Sequence, residues 1–219
     1  MTLNYGLDRR WLVAAGATLA LVTALTFAAV ATPHMATLML TEKGPIETLS
    51  ALLHFGAMAL ALVWRRRAPG LLGLLAICAF LMGGRELDWH KAFTTHGVFS
   101  TKLYFYDTVP LAEKVIAGAF VVVLLTLLVM MLVRSRHDIR RLVAERSPAI
   151  WGLATLVAIL PVIKLIDGLP RMVREAGGAL DAGVVKALLA VEEIGEMALP
   201  LLMMLLILQI ARRDTQPLP

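Results

Sequence analysis

One cysteine, Cys78, stands in the whole chain, set inside an apolar run, so no internal disulfide can form and no Cys-x-x-Cys redox or zinc-ribbon chemistry is available. Charge is scarce as well. Only 17% of the 219 residues are Asp, Glu, Lys or Arg while 59% are hydrophobic, and a mean hydropathy of +0.78 lies far from that of a soluble domain. Internal repeats, low-complexity tracts and period-2 alternation are absent. In a bilayer only helices and closed barrels satisfy every backbone N–H and C=O, and without alternation the barrel is excluded. The expectation is therefore an all-α polytopic membrane protein. The formal net charge of +5 would suggest nucleic acid in a soluble chain; here the cations read as topology signals, and no nucleic-acid partner is expected.

Six apolar segments, roughly 11–31, 45–64, 69–88, 111–133, 150–168 and 184–210, can each cover about 30 Å of hydrocarbon at about 1.5 Å per residue. They predict six transmembrane helices in one bundle, with residues 1–219 forming a single transmembrane domain. Arg9 and Arg10 ahead of an apolar run resemble a signal peptide, but a run of about 20 residues predicts a retained first span, even though Ala31-Thr32-Pro33 would permit cleavage. Gly44-Pro45 and Ser147-Pro148 place proline in a first helical turn, where its missing N–H costs nothing.

Alternate connections hold Arg9 and Arg10, then Arg65 to Arg67, then Arg134, Arg136, Arg140, Arg141 and Arg146, and last Arg212 and Arg213. The positive-inside rule then puts both termini in the cytoplasm. The acids sort the other way. Asp8, Asp138, Glu145 and Asp214 are cytoplasmic in this topology, whereas the other twelve of the sixteen carboxylates fall at or near the outer, periplasmic side. The connection 90–110 is rich in aromatic residues and reads as an interfacial segment covering the outer mouth of the bundle; the inner connection 134–149 is a basic segment suited to anionic headgroups.

Several constellations lie at that outer level. In the second span Glu47, Ser50 and His54 fall within about 60° of one helix face, a polar stripe that must face the bundle interior. Glu47 in a first turn also complements the helix dipole, and His54 can serve as an ordinary interhelical hydrogen-bonding group. The third span ends in Arg85-Glu86-Leu87-Asp88-Trp89-His90-Lys91. Glu86 and His90 lie four residues and about 40° apart on one helix face, the spacing of two metal ligands, of an acid–base pair or of a plain ion pair. Arg85 is a candidate anion anchor.

The sixth span carries Glu192, Glu193 and Glu196 within one quadrant, which like charges in a bilayer can sustain only with a metal, a proton or a cationic partner such as Arg85, Lys114 or Lys186. Lys164 and Asp167 can pair on the fifth span, and Lys114 can either neutralise Glu113 or reach inward. Spans two, three, five and six are expected to build the site, with the first and fourth as supports. A carboxylate-rich set with His suits Mg²⁺, Mn²⁺, Fe²⁺ or Zn²⁺.

Glu42-Lys-Gly-Pro-Ile-Glu47, Arg85-Glu-Leu-Asp-Trp-His-Lys91 and Glu192-Glu-x-x-Glu196 together resemble an uncharacterised family of bacterial multi-spanning inner-membrane proteins, over nearly all of the chain. That resemblance implies the topology but no activity. An acid/His site in a polytopic bundle is more distantly similar to the alkaline ceramidase-like hydrolases, an analogy of fold only, since their three metal-binding histidines have no counterpart here. The residues point first to a divalent-metal-dependent hydrolase or transferase acting on a lipid or lipid-linked substrate. Glu86, His90, Glu193 and Glu196 are its expected ligands, Glu47 and Glu192 further ligands or general base, and Arg85 a phosphate anchor, supported by Ser50, His54, Asp88, Lys114 and Asp167. A proton- or cation-coupled transporter and a structural or assembly subunit of a membrane complex are the alternatives.

Overall fold

The computed structural model describes residues 9–32, 34 and 44–212; Asp8, Glu42, Arg213 and Asp214 lie outside the described residues. Within them all regular structure is helical: α1 (Arg9–Ala31), α2 (Pro45–Trp64), α3 (Pro69–Glu86), the short α4 (Thr101–Phe105), α5 (Leu111–Ala144), α6 (Ala149–Glu175) and α7 (Ala182–Arg212). Five of these, α2, α3, α5, α6 and α7, are long and apolar enough to cross a membrane. Their composition leaves little choice of surroundings, because the apolar window of α5 has a mean hydropathy of 3.0 and only 6% of it is buried against protein. In water such a helix would be an enormous sticky surface; in lipid it is at home.

The core is centred on α7, whose apolar window is 67% buried and which packs against α1, α2 and α6. Next to α7 lies α2, then α3, then α5 as the outermost layer. Small residues set these distances: Ala57 and Ala61 on α2 and Ala76 and Ala79 on α3 are buried in one cluster with Leu199, Leu206 and Ile207 of α7. In α1, Leu25 packs on a second cluster of Ile46, Ala190, Ile194 and Met197. α5 packs against α3 rather than against α7.

Three element ends differ from the periodicity-based expectation. First, α3 stops at Glu86, because Asp88 takes a left-handed conformation (φ 55°) while Asp88 N–H donates to the Arg85 carbonyl and Trp89 N–H to the Gly84 carbonyl, both at 2.9 Å. That is a Schellman stop with aspartate in the place glycine usually takes, and Trp89 folds back over Gly84, where a Cβ would lie 3.0 Å from its ring. Second, α5 runs on through the basic segment to Ala144, since no proline or glycine interrupts it after Gly118. Third, α6 runs on to Glu175, past the expected end at Gly168, and α7 covers Ala182–Arg212, slightly more than the expected 184–210.

The extension of α5 has work to do at the arginine end. No side chain at the Ala68 N-cap satisfies the first turn of α3, but Asp138 of α5 does so from outside, accepting from Leu71 N–H at 2.8 Å. Gly70 permits the approach, as a Cβ there would come 2.5 Å from the Arg134 carbonyl oxygen. The aromatic segment between α3 and α5 docks on the other end of α5 through Val98, Leu103, Val109 and Ala117, with Thr95 donating through N–H and hydroxyl to Glu113.

Height along the bundle follows from counting. From the arginine-end helix termini at Trp64, Pro69, Ala149 and Arg212, the residues Glu47, Arg85, Lys164 and Glu196 are 17, 16, 15 and 16 positions away. At about 1.5 Å per residue all four stand about 22 to 26 Å from that end, near the far edge of a hydrocarbon core about 30 Å thick. Asp138→Ala should cost about 1 kcal/mol through the lost cap, and Gly70→Ala should cost more by forcing α3 off α5. Thermal unfolding of the detergent-solubilised variants reads both, and an unchanged midpoint for Gly70→Ala would contradict the packing.

Candidate functional site

Glu196 sits on α7 with a side chain only 8% exposed, four residues before Pro200, whose ring has no N–H for the Glu196 carbonyl. Its carboxylate is compensated from two sides. Arg85 Nη2, from the last turn of α3, donates to both Glu196 oxygens at 2.8 Å. Lys164 Nζ of α6 donates to Glu196 Oε1 at 3.3 Å and to Asp167 Oδ2 at 3.1 Å. Ile163, the neighbour of Lys164, packs on Gly195 at 3.6 Å from where a Cβ would be, and this close crossing brings the lysine to the acid. Arg85 also complements the C-terminal end of the α3 dipole.

Beside this ion triad opens a cavity of about 220 Å³ lined by Glu47 of α2, Arg85 and Glu86 of α3, Asp88, His90 and Lys91 of the following turn, and Glu192, Glu193 and Glu196 of α7. Eight of the twelve site residues expected from sequence thus share one wall system. The three glutamates of α7 reach it together as their spacing requires.

Glu86 and His90 reach it by a different route than the one-face argument assumed. His90 is not helical; the turn after α3 carries it back, with its carbonyl accepting from Val98 N–H at 2.9 Å and its ring 6.2 Å from that of Phe99. Asp88 forms the turn and pairs with Lys91 at 2.6 Å. The turn is held down by Trp89, whose ring centroid lies 5.6 Å from Phe55 and 5.8 Å from Phe80.

The remaining expected residues stand around the cavity without lining it. Ser50 and His54 are buried beneath Glu47, and His54 Nδ1–H donates to the Ser50 carbonyl at 2.9 Å, which fixes the tautomer and leaves Nε2 as a lone pair. Asp167 is a partner of Lys164 outside the cavity, and Lys114 is on α5, away from α7. Sequence reasoning paired Lys164 with Asp167 alone and passed over Lys91. The signal for Lys164 was its height, 15 residues beyond the start of α6, level with Glu196.

A metal-ligand set is only partly assembled. Among the described residues no group of three or more His, Cys, Asp or Glu converges on a point that would hold a metal ion. Glu196, expected as a ligand, is instead engaged with Arg85 and Lys164. Glu86 Oε1 and His90 Nδ1 are different: both are buried at the cavity wall with no hydrogen-bond partner.

Burial, with help from the Lys91 and Arg85 charges and against the pull of Asp88, lowers the His90 pKa below its ordinary 6.5, which favours the neutral ring at pH 7. Further along the bundle Ala57, Ala61, Leu72, Leu75 and Leu206 are buried in one apolar cluster. Compared with family models, with curated proteins and with solved structures, the chain matches none of them.

Removing Arg85 leaves a buried carboxylate with Lys164 alone. Arg85→Met should destabilise by about 2 kcal/mol, and adding Glu196→Met should recover most of that loss, because the uncompensated charge is gone. A double variant no more stable than the single one would show that the pair is not what holds α3 to α7.

For His90 the folded protein holds its proton less tightly than the unfolded chain, so its contribution to stability is present above pH 6.5 and is lost as pH falls towards the lowered value. An NMR titration of the ring should give a midpoint under 6.5, and one at or above that would contradict the buried neutral imidazole.

Proposed function

We propose that the protein binds a divalent cation in the acid-lined cavity and uses it in hydrolysis or group transfer on a lipid or lipid-linked substrate reaching the cavity from the same membrane face. The observation that carries this reading is the charge of the walls: six carboxyl groups face two permanent cations, Arg85 and Lys91, around a neutral His90. A cavity so lined recruits cations, and its low-dielectric setting strengthens the pull. The unpartnered Glu86 Oε1 and His90 Nδ1 are the first two donors, one hard oxygen and one imidazole nitrogen, and Glu193 on the facing wall can complete the set by a change of rotamer.

Glu196 takes a different role from that of ligand. Held by Arg85 and Lys164, it fixes α3, α6 and α7 around the cavity. Glu47 and Glu192 line the walls and serve in this reading as general base or further ligands, and Arg85, which uses only Nη2 on Glu196, has nitrogens left for a substrate phosphate. A bound cation would supply an activated water or a polarised phosphoryl oxygen.

In this reading α1 is a sixth span, both ends of the chain lie with the arginine clusters in the cytoplasm, and the cavity faces the periplasm from a bacterial inner membrane. Transport is the less favoured function, because the apolar layer under His54 separates the acids from the arginine end.

Elemental analysis and equilibrium dialysis of purified protein at pH 7 should find one equivalent of Mg²⁺, Mn²⁺, Fe²⁺ or Zn²⁺. Glu86→Gln and His90→Gln should each weaken binding by about tenfold or more. If wild-type protein takes up no stoichiometric divalent cation, the proposal fails.

A further inference from the structure

A second cavity, of about 550 Å³, opens at the opposite end of the bundle, between α2, α3 and α5. Its depths are apolar, formed by Met58 and Leu62 of α2, Ile77 and Phe80 of α3 and Met131 of α5. Its mouth is ringed by Arg65, Arg66 and Arg134. Among the described residues no carboxylate pairs with these three arginines. The two acids of the neighbouring segment are engaged elsewhere, Asp138 on Leu71 N–H and Glu145 on Arg141 Nε at 2.8 Å. Three guanidinium groups gathered at one mouth without a counter-charge repel one another, so the mouth attracts an anion.

The walls say what the anion carries. From Pro69 at the mouth to Phe80 at the far end the cleft follows α3 for eleven residues, about 16 Å, much deeper than a headgroup requires and directed into the hydrocarbon. Gly73 keeps it wide: a Cβ there would lie 3.4 Å from Met131 Sδ, and any longer side chain would enter the space. Trp64, with Arg67 6.0 Å over its ring, ends α2 at the lip, where amphipathic aromatic rings mark the boundary between headgroups and acyl chains. A free phosphate would make no use of the apolar walls. A zwitterionic lipid would bring its own cation to the arginines.

We propose that the cleft between α2, α3 and α5 is a binding site for an anionic phospholipid, with Arg65, Arg66 and Arg134 on its phosphate and one acyl chain along Met58, Ile77 and Phe80. The lipid fills the gap between α2 and α5, which otherwise meet only through α3. This site is independent of the acidic cavity and of any chemistry there.

Native mass spectrometry of the full chain in neutral detergent, offered phosphatidylglycerol and phosphatidylcholine in equal amounts, tests it. One phosphatidylglycerol per chain should be retained in preference, and it should raise the thermal midpoint. Replacing all three arginines in Arg65→Gln/Arg66→Gln/Arg134→Gln should weaken retention on the order of a hundredfold, roughly fivefold per charge. Arg134→Gln alone, should the triple variant not fold, is expected to show the fivefold loss. Gly73→Leu, with every arginine in place, should abolish retention by filling the cleft. The proposal is overturned if the two lipids are held equally, if the arginine and glycine variants both bind as the wild type does, or if inorganic phosphate alone gives the same thermal shift.

Discussion

A carboxylate as enclosed as that of Glu196, in a helix crossing a membrane, stays ionised only if cations reach it, and in this fold they come from two other helices. The Arg85–Glu196 pair ties α3 to α7, which otherwise barely touch, and Lys164 ties α6 to the same oxygen. The acidic cavity depends on this arrangement, since it is the space left between the end of α3, the start of α2 and the glutamate face of α7. Without the triad Glu196 would be left as an enclosed, uncompensated charge between helices that pack closely on apolar side chains.

The remaining wall is made by a turn rather than by helix. Ending α3 at Glu86 costs the strain of a left-handed Asp88, of order 1 kcal/mol, offset by two backbone hydrogen bonds, the Lys91 ion pair and the packing of Trp89 on Phe55 and Phe80. The return is that His90 points back over the cavity, where a continued helix would have carried it further from the membrane. The His90 imidazole and an unpartnered glutamate oxygen then face an acid-lined space.

The two ends of the molecule are chemical opposites. At one end carboxylates outnumber cations around an enclosed polar cavity; at the other, arginines without partners crown an apolar cleft. The first geometry favours a small cation, the second an amphiphile with a negative head. Between them lies a layer of Ala, Leu, Ile and Met in which α2, α3 and α7 approach closely on small side chains.

Much of this was legible in the amino-acid order, for simple reasons. Apolar length sets how many helices can cross a bilayer, arginine placement separates the two ends, and a fixed rise per residue puts Glu47, Arg85, Lys164 and Glu196 at one height. What the order left open was pairing and termination. Arg85, Lys114 and Lys186 were equally eligible for the glutamates until helix packing put Arg85 and Lys164 against Glu196 and left Lys114 on the outermost layer. Likewise the Glu86/His90 spacing is helical in form, yet the helix ends between them, because the packing of Trp89 on Phe55 and Phe80 lies outside any local propensity. Periodicity and hydropathy act within a single segment; the choice of partner and the place where a helix stops depend on side chains brought close only when separate helices pack, and that was decided by the tertiary structure.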